Sequence, residues 1–322
     1  MRKLRCAVIG VGYLGRFHAQ KYQHIEHAEL VAVCDTNVDN VEKVSRELNV
    51  AAFTNYQELF RLVDAVSIAA TTQFHYEIAK ACIEAGIHVL LEKPMTQTVE
   101  EAEELIQLAE KHKVKLQIGH LERFNAARLA LTPFLHEPLF IESNRLAPYT
   151  PRGADVNVVL DLMIHDIDII QSIVNSPIRK IDAQGAPVLS PSIDIANARI
   201  TFESGCVANV TASRVSFKTE RKTRIFQRHS YISVDYQEKQ FAVFEKGDGE
   251  MFPGIPNVLR HQIDIEKNDA LLEEIRAFVR CIIDNSQPLV TAEEGKSALA
   301  TAAQITNLIE HHISQHDTTT SL

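Results

Sequence analysis

The segment that most restricts what this chain can fold into is Gly10-Val11-Gly12-Tyr13-Leu14-Gly15. It lies between an apolar run, Leu4 to Ile9, and a helical pattern over residues 14–26. Strand, glycine turn and helix, in that order, make G-x-G-x-x-G a dinucleotide signal and not merely a flexible loop. Asp35 closes the next apolar run, twenty positions after Gly15. Each residue has a physical task. Gly10 permits the tight turn, Gly12 lets a pyrophosphate approach backbone N–H groups, and Gly15 lets helix and strand pack closely. Tyr13 and Leu14 start the helix, whose N-terminus offers N–H groups and partial positive charge to phosphate. Asp35 accepts hydrogen bonds from the adenosine ribose, and its charge repels a 2′-phosphate. Thr36 and Asn37 supply no guanidinium to neutralise one, so the expected cofactor is NAD and not NADP.

Further apolar runs at Leu30–Cys34, Ala65–Ala69, Val89–Leu91 and Lys115–Ile118 lack in-out alternation. That is the pattern of parallel strands covered on both faces. Helical patterns at 38–48, 56–62, 75–85 and 99–112 separate them, the last opened by a capping box of Thr98 and Glu101. The expectation for residues 1–120 is a Rossmann domain, a doubly wound parallel sheet. Residues 121–322 are expected to form an α+β domain with a mostly antiparallel sheet. A helix is expected from Phe124 to about Phe134, strand at 139–146 and a helix at 158–174. A β-rich stretch follows from Ile178 to Glu245, with a hairpin at Ser204-Gly205. Two helices close the chain, the second opened by a capping box of Thr291 and Glu294, and a frayed tail is expected at 315–322.

Composition narrows the function classes. A net charge of −9 over 322 residues argues against a nucleic-acid partner. The basic trio Arg221, Lys222 and Arg224 reads as a solvated strand or loop. No run reaches the ~18 apolar residues of a membrane span, and the interrupted start does not read as a signal peptide, so none is expected. Five scattered cysteines without metal-ligand spacing fit buried free thiols in a reducing compartment, so the expected location is cytoplasmic.

Two further clusters carry potential chemistry. Glu92-Lys93-Pro94 follows the Val89–Leu91 run, where ligands bind beyond the carboxyl ends of parallel strands. A lysine there reaches the nicotinamide ribose and a substrate hydroxyl, or is a surface lysine at a turn. Asp161 and His165 stand four apart in an otherwise apolar helical stretch, with Asp168 on the same face at 100° per residue. Two readings stand for that stripe. It is a core histidine held by a carboxylate, or Asp161 orients an imidazole that removes a hydroxyl proton. No third ligand for a metal is evident, and no metal is expected.

The motifs together resemble the glucose-fructose oxidoreductase, inositol dehydrogenase and rhizopine catabolism family (Gfo/Idh/MocA). The matching residues are the glycine loop with Arg16 and His18, Thr71 to His75, Gly86-Ile87-His88-Val89 leading into Glu92-Lys93-Pro94, and Asp161 to His165. They follow the family order, and the likeness covers nearly the whole chain. It implies that Lys93, Asp161 and His165 are the catalytic residues, that Thr71 and His75 border the nicotinamide, that Glu92 and Lys93 lie at the cofactor, and that a cis peptide precedes Pro94. Thr72 stands where the family often has proline, and Asp155-Val156-Asn157-Val158-Val159 stands where a glycine pair is common. That segment and Gly119-His120-Leu121-Glu122-Arg123-Phe124-Asn125 are similar to a branch acting on nucleotide sugars, which includes UDP-N-acetylglucosamine 3-dehydrogenases. The implied activity is oxidation of a sugar secondary hydroxyl, best matched by the 3-hydroxyl of such a nucleotide sugar. A free sugar or inositol, or a non-catalytic NAD-binding regulator, are the alternatives. Arg123, Tyr149, Arg152, Asn157 and His165 are candidate substrate contacts, the first four equally able to serve as inter-domain polar contacts, and a homodimer or homotetramer is implied.

Overall fold

A computed structural model describes residues 2–150, 156–238, 240–263 and 268–320. The chain divides into two compact units, Met1–Phe124 with Asp269–Leu299, and Asn125–Asn268 with Ala300–Leu322.

The first unit is a six-stranded parallel sheet of β1 (Leu4–Ile9), β2 (Ala28–Cys34), β3 (Ala51–Phe53), β4 (Ala65–Ile68), β5 (His88–Glu92) and β6 (Leu116–Gly119). The strand order is β3-β2-β1-β4-β5-β6. Helices α1 (Tyr13–Tyr22), α2 (Val38–Leu48), α3 (His75–Glu84) and α4 (Val99–His112) connect the strands. Their flanking cover explains why β4 is buried at every residue, and why the apolar runs showed no alternation. Strand order reverses between β1 and β4, and ligands bind in the crevice at such a switch point. The expected capping box forms at α4, with Thr98 and Glu101 satisfying each other's backbone N–H groups. Strand β3 was not expected: three residues, two of them exposed alanines, carry no hydrophobic pattern. The segment expected as a helix at 56–62 makes only a single 3₁₀ turn at Tyr56–Leu59.

The second unit opens with a broken helix where one continuous helix to Phe134 was expected. A 3₁₀ turn at Leu121–Phe124, which still belongs to the first unit, is followed by α5 (Ala126–Leu131) and a second 3₁₀ turn at Thr132–Phe134. Asn125 caps α5 by accepting the Ala127 N–H, and Pro133 cannot continue the α ladder. Next come β7 (Pro138–Leu146), a π-helical turn at Val159–Met163 and α6 (Ile164–Val174). Strands β8 (Ile178–Ala186), β9 (Ile195–Phe202), β10 (Val207–Ser213), β11 (Glu220–Gln227), β12 (Ser230–Asp235), β13 (Gln240–Phe252) and β14 (Ile255–Ile263) complete the sheet.

The eight-stranded order is β14-β13-β12-β11-β7-β10-β9-β8. Every neighbouring pair is antiparallel except β7 with β10. The Ala198, Ile200 and Phe202 face of β9 is fully buried and alternates with exposed Asn197 and Arg199, as expected for a sheet with one covered face. The hairpin turn lies at Ser204-Gly205, with Gly205 at φ +88°. The basic trio lies on β11, where Arg224 pairs with Glu142.

Two helices close the chain. Helix α7 (Ala270–Ile283) joins the first unit and buries Leu271, Ile275, Phe278 and Val279 against Val8 and Tyr22. A contiguous division at residue 120 cannot express this return. Helix α8 (Ala292–Thr320) passes from the first unit into the second at Ala300. Gly295 seats it, because a Cβ there would stand 2.6 Å from Ile118. Where a frayed tail was expected from residue 315, α8 stays helical to Thr320. Neither Gly nor Pro follows Gly295 to stop it. All five cysteines are buried free thiols, as expected.

Candidate active site

The glycine loop is built as its spacing demands. Gly10 sits at φ +82°, and a Cβ there would meet the Ala70 backbone nitrogen at 2.5 Å. At Gly15 a Cβ would lie 1.7 Å from the Gly10 carbonyl oxygen. A Cβ built on Gly12 would meet nothing within 4 Å and the residue is exposed, so its backbone is open to an approaching group. Gly12 caps α1, and no acidic residue occupies the first turn to oppose an anion. Tyr13 is exposed, with its ring edge-on to Phe17 at 5.2 Å, and Leu14 is half-buried.

Asp35 extends from the end of β2. One carboxylate oxygen accepts the Val11 N–H at 2.8 Å and the other accepts the Asn37 N–H at 2.9 Å. The acid therefore braces the glycine loop besides bringing negative charge to the crevice. A cavity of about 500 Å³ opens there, lined by Gly10, Gly12, Asp35, Thr71, Tyr56 and Phe74 among others. It offers an open N–H cradle, an acid and an aromatic wall, which fits the pyrophosphate, ribose and adenine of NAD.

The loops beyond β4 and β5 are tied together by His75. Its Nδ1 lies 2.9 Å from the Pro94 carbonyl oxygen and its Nε2 lies 2.9 Å from that of Ala70. At 1% exposure, His75 holds the loops in place, whereas the resemblance implied contact with the cofactor. Thr71 is exposed and lines the cavity. The peptide before Pro94 is cis, as the resemblance implied. Lys93 is half-buried at this turn. Glu92 differs from expectation: its carboxylate turns into the core, with Oε1 2.9 Å from His18 Nε2 and Oε2 accepting the Lys93 N–H at 3.2 Å.

In the second unit, Asp161 lies in the π turn and His165 in the first turn of α6, both half-buried. A π turn bonds i to i+5, so the 100° step assumed for Asp161 to His165 does not hold there. Such turns frequently mark functional sites. Asp168 is buried at 2% exposure. The neighbouring Asp166, not foreseen, accepts from Arg145 Nε at 2.7 Å and from the Ser143 hydroxyl at 2.9 Å. Its partners come from β7, a distant segment that helical periodicity cannot reveal.

The candidate substrate contacts separate. Asn157 caps the π turn, accepting the N–H groups of Val159 and Leu160 at 3.0 Å, and its amide reaches Thr306. Arg123 is ion-paired with Glu294 inside the first unit. Each side chain is held by bonds within its own unit. Tyr149 is exposed, and Arg152 lies outside the described residues. No helix among the described residues is long and apolar enough to cross a membrane.

Comparison with known proteins agrees with this geometry. Residues 4–120 match the family model described as an oxidoreductase family with an NAD-binding Rossmann fold, and residues 137–232 match the Gfo/Idh/MocA C-terminal domain. The UDP-N-acetylglucosamine 3-dehydrogenase of Acidithiobacillus ferrooxidans is 38% identical over 96% of this chain and 98% of its own. A solved structure of that enzyme superposes with a TM-score of 0.92, covering 97% of this chain and 99% of that one. A myo-inositol 2-dehydrogenase of Thermotoga maritima is 25% identical over 92% of this chain and 93% of its own. The scyllo-inositol dehydrogenase of Lactobacillus casei with bound NAD(H) and scyllo-inositol, 23% identical with a TM-score of 0.77 over 97% and 98%, shares the fold. The chain belongs to the Gfo/Idh/MocA family of oxidoreductases, and its cofactor is NAD.

Proposed function

We propose that the chain oxidises the 3-hydroxyl of UDP-N-acetylglucosamine or a related nucleotide sugar. The observation that carries this reading is 38% identity across 96% of the chain to an enzyme with that activity. The Lys93, Asp161 and His165 set supports it, since all three family positions are filled. Bound NAD supplies the hydride acceptor. His165 takes the hydroxyl proton, as an imidazole suits acid–base work near neutral pH. Asp161 orients the imidazole and stabilises it once charged. The Lys93 ammonium donates to the same oxygen and stabilises its developing negative charge.

The test is NADH formation with a panel of nucleotide sugars, inositols and free sugars. NADH is expected with the UDP-sugar, and UDP should compete with it. A turnover confined to inositols or free sugars and indifferent to UDP would replace the substrate assignment. NADH from none of them would favour a regulator.

The compartment proposed is the cytoplasm, from the five unpaired cysteines. We also propose a homodimer or homotetramer formed through the outer sheet face. Phe140, Phe226, Tyr231 and Phe244 stack across β7, β11, β12 and β13 with ring centroids 4.9–5.7 Å apart, and Arg260 covers Phe244. Tyr231→Lys should dissociate the assembly in sedimentation velocity; an unchanged oligomer would exclude this face.

A further inference from the structure

Beneath Lys93, three ionisable side chains meet inside the first unit. His18 comes from α1, Glu92 from the end of β5 and Glu274 from α7. Their exposures are 0%, 6% and 0%. One ligand-type atom from each lies within 4.8 Å of the others. Gly119 makes the room, since a Cβ there would stand 2.9 Å from the Glu92 carboxyl carbon. Glu92 accepts from His18 Nε2 and from the Lys93 N–H. Among the described residues, neither carboxyl oxygen of Glu274 has a hydrogen-bond partner, although its backbone carbonyl accepts from Gln117 Nε2 at 3.2 Å.

Two ionised carboxylates this close, sealed from water, would repel strongly and forfeit their hydration. The hydrogen bonds decide which one carries the charge. Glu92 has two donors on it, and Glu274 has none. Among the described residues, the other groups facing the site add no cation against Glu274. Tyr22 on α1 is hydrogen-bonded to Ser67 at 2.8 Å, Cys6 on β1 is a buried thiol, and Gln117 on β6 is neutral.

We propose that Glu274 is a neutral carboxylic acid at physiological pH, and that His18, Glu92 and Glu274 form a one-carboxylate site that positions Lys93. Burial pushes Glu274 well above the usual carboxylate range, and the charge of Glu92 pushes it further. Burial also opposes ionisation of Glu92, but the hydrogen bond and charge of His18, with the Lys93 N–H, hold Glu92 low. The carboxylate, held by His18, accepts the Lys93 N–H at 3.2 Å. Glu92 and Glu274 are positioning residues, and the part concerning Lys93 depends on the dehydrogenase reading above.

Linkage tests the neutral acid without any substrate. Glu274 has a folded pKa above its unfolded one, so the folded state binds one more proton between those values. Over that window the folding constant of the wild type should fall about tenfold per pH unit relative to Glu274→Gln, starting near pH 5. A difference flat from pH 5 to 8, or one that rises with pH, would overturn the proposal. Infrared spectra of the wild type with ¹³C-labelled glutamate need no variant. A protonated glutamic acid band should persist at pH 8, and its loss would count against the idea. Stoichiometric divalent metal in the purified protein would also overturn it, because a metal requires both carboxylates ionised. For the positioning role, Glu92→Gln should lower kcat about tenfold, a lost charge-assisted hydrogen bond. KM for NAD should move less, and Glu92→Asp should restore part of the loss. An equal effect on both constants would make Glu92 a cofactor contact instead. Failure of the dehydrogenase reading would appear as no turnover in the wild type, with the linkage result unaffected.

Discussion

The carboxylate of Asp35 and the backbone N–H of Val11 are joined by a 2.8 Å hydrogen bond, which ties the end of β2 to the middle of the glycine loop. One side chain thus shapes the glycine loop and brings negative charge to the cavity that the loop lines. Asp35→Ser should raise KM for NAD about 10- to 100-fold, the worth of a charge-assisted hydrogen bond. It should weaken discrimination against NADP by a similar factor. Steady-state kinetics with both cofactors measure this, and an unchanged NAD to NADP ratio would contradict it.

The three loop glycines separate folding from binding. Gly15→Ala drives a methyl to 1.7 Å from a backbone oxygen, so it should cost at least ~3 kcal/mol, the upper end for overpacking. Gly12→Ala meets nothing within 4 Å. It should cost under ~1 kcal/mol while weakening NAD binding about tenfold or more, because the new methyl occupies the phosphate approach. Thermal melts and cofactor titration of the two variants check this. A Gly12→Ala protein with wild-type NAD affinity would disprove the cradle assignment.

In the second unit, Asp194 gathers the N–H groups of Val188, Leu189 and Ser190, the Ser190 hydroxyl and Arg214 Nε, all within 2.8 Å. Burial alone would raise its pKa. The Ser190 and Arg214 bonds and the backbone donors outweigh that and hold the carboxyl below the usual range. A depressed folded pKa gives stability that is present above the unfolded value near 3.8 and lost as pH falls through it toward the folded one. Asp194→Asn should therefore cost about 2–3 kcal/mol at pH 7. Its deficit against the wild type should shrink below about pH 4. Denaturation curves from pH 7 to 2 measure the difference, and a deficit independent of pH would refute the linkage.

Much of the first unit was legible in the order of residues because its signals are local. The glycine loop, Asp35, the Thr98 capping box and the unbroken apolar strands each declare themselves within a few positions. The catalytic candidates Lys93, Asp161 and His165 were legible as motif positions. Their neighbours were not. Glu274 reaches Glu92 from α7, 182 positions away (274 − 92), and Arg145 reaches Asp166 from a strand. Buried pairs of this kind leave no periodicity. Arg123 and Asn157 look like ligand contacts in the sequence because an amide or guanidinium is equally able to bind substrate or cap a helix. Their bonds to Glu294 and to the Val159 N–H are not legible in the sequence.

Single variants at Lys93 and His165 test most directly whether an ammonium and an imidazole serve one hydroxyl oxygen. With the UDP-sugar and NAD both saturating, Lys93→Ala and His165→Ala should each lower turnover at least ~100-fold, and calorimetric NAD affinity should stay within about threefold for each. Turnover close to wild type in both variants would contradict the account.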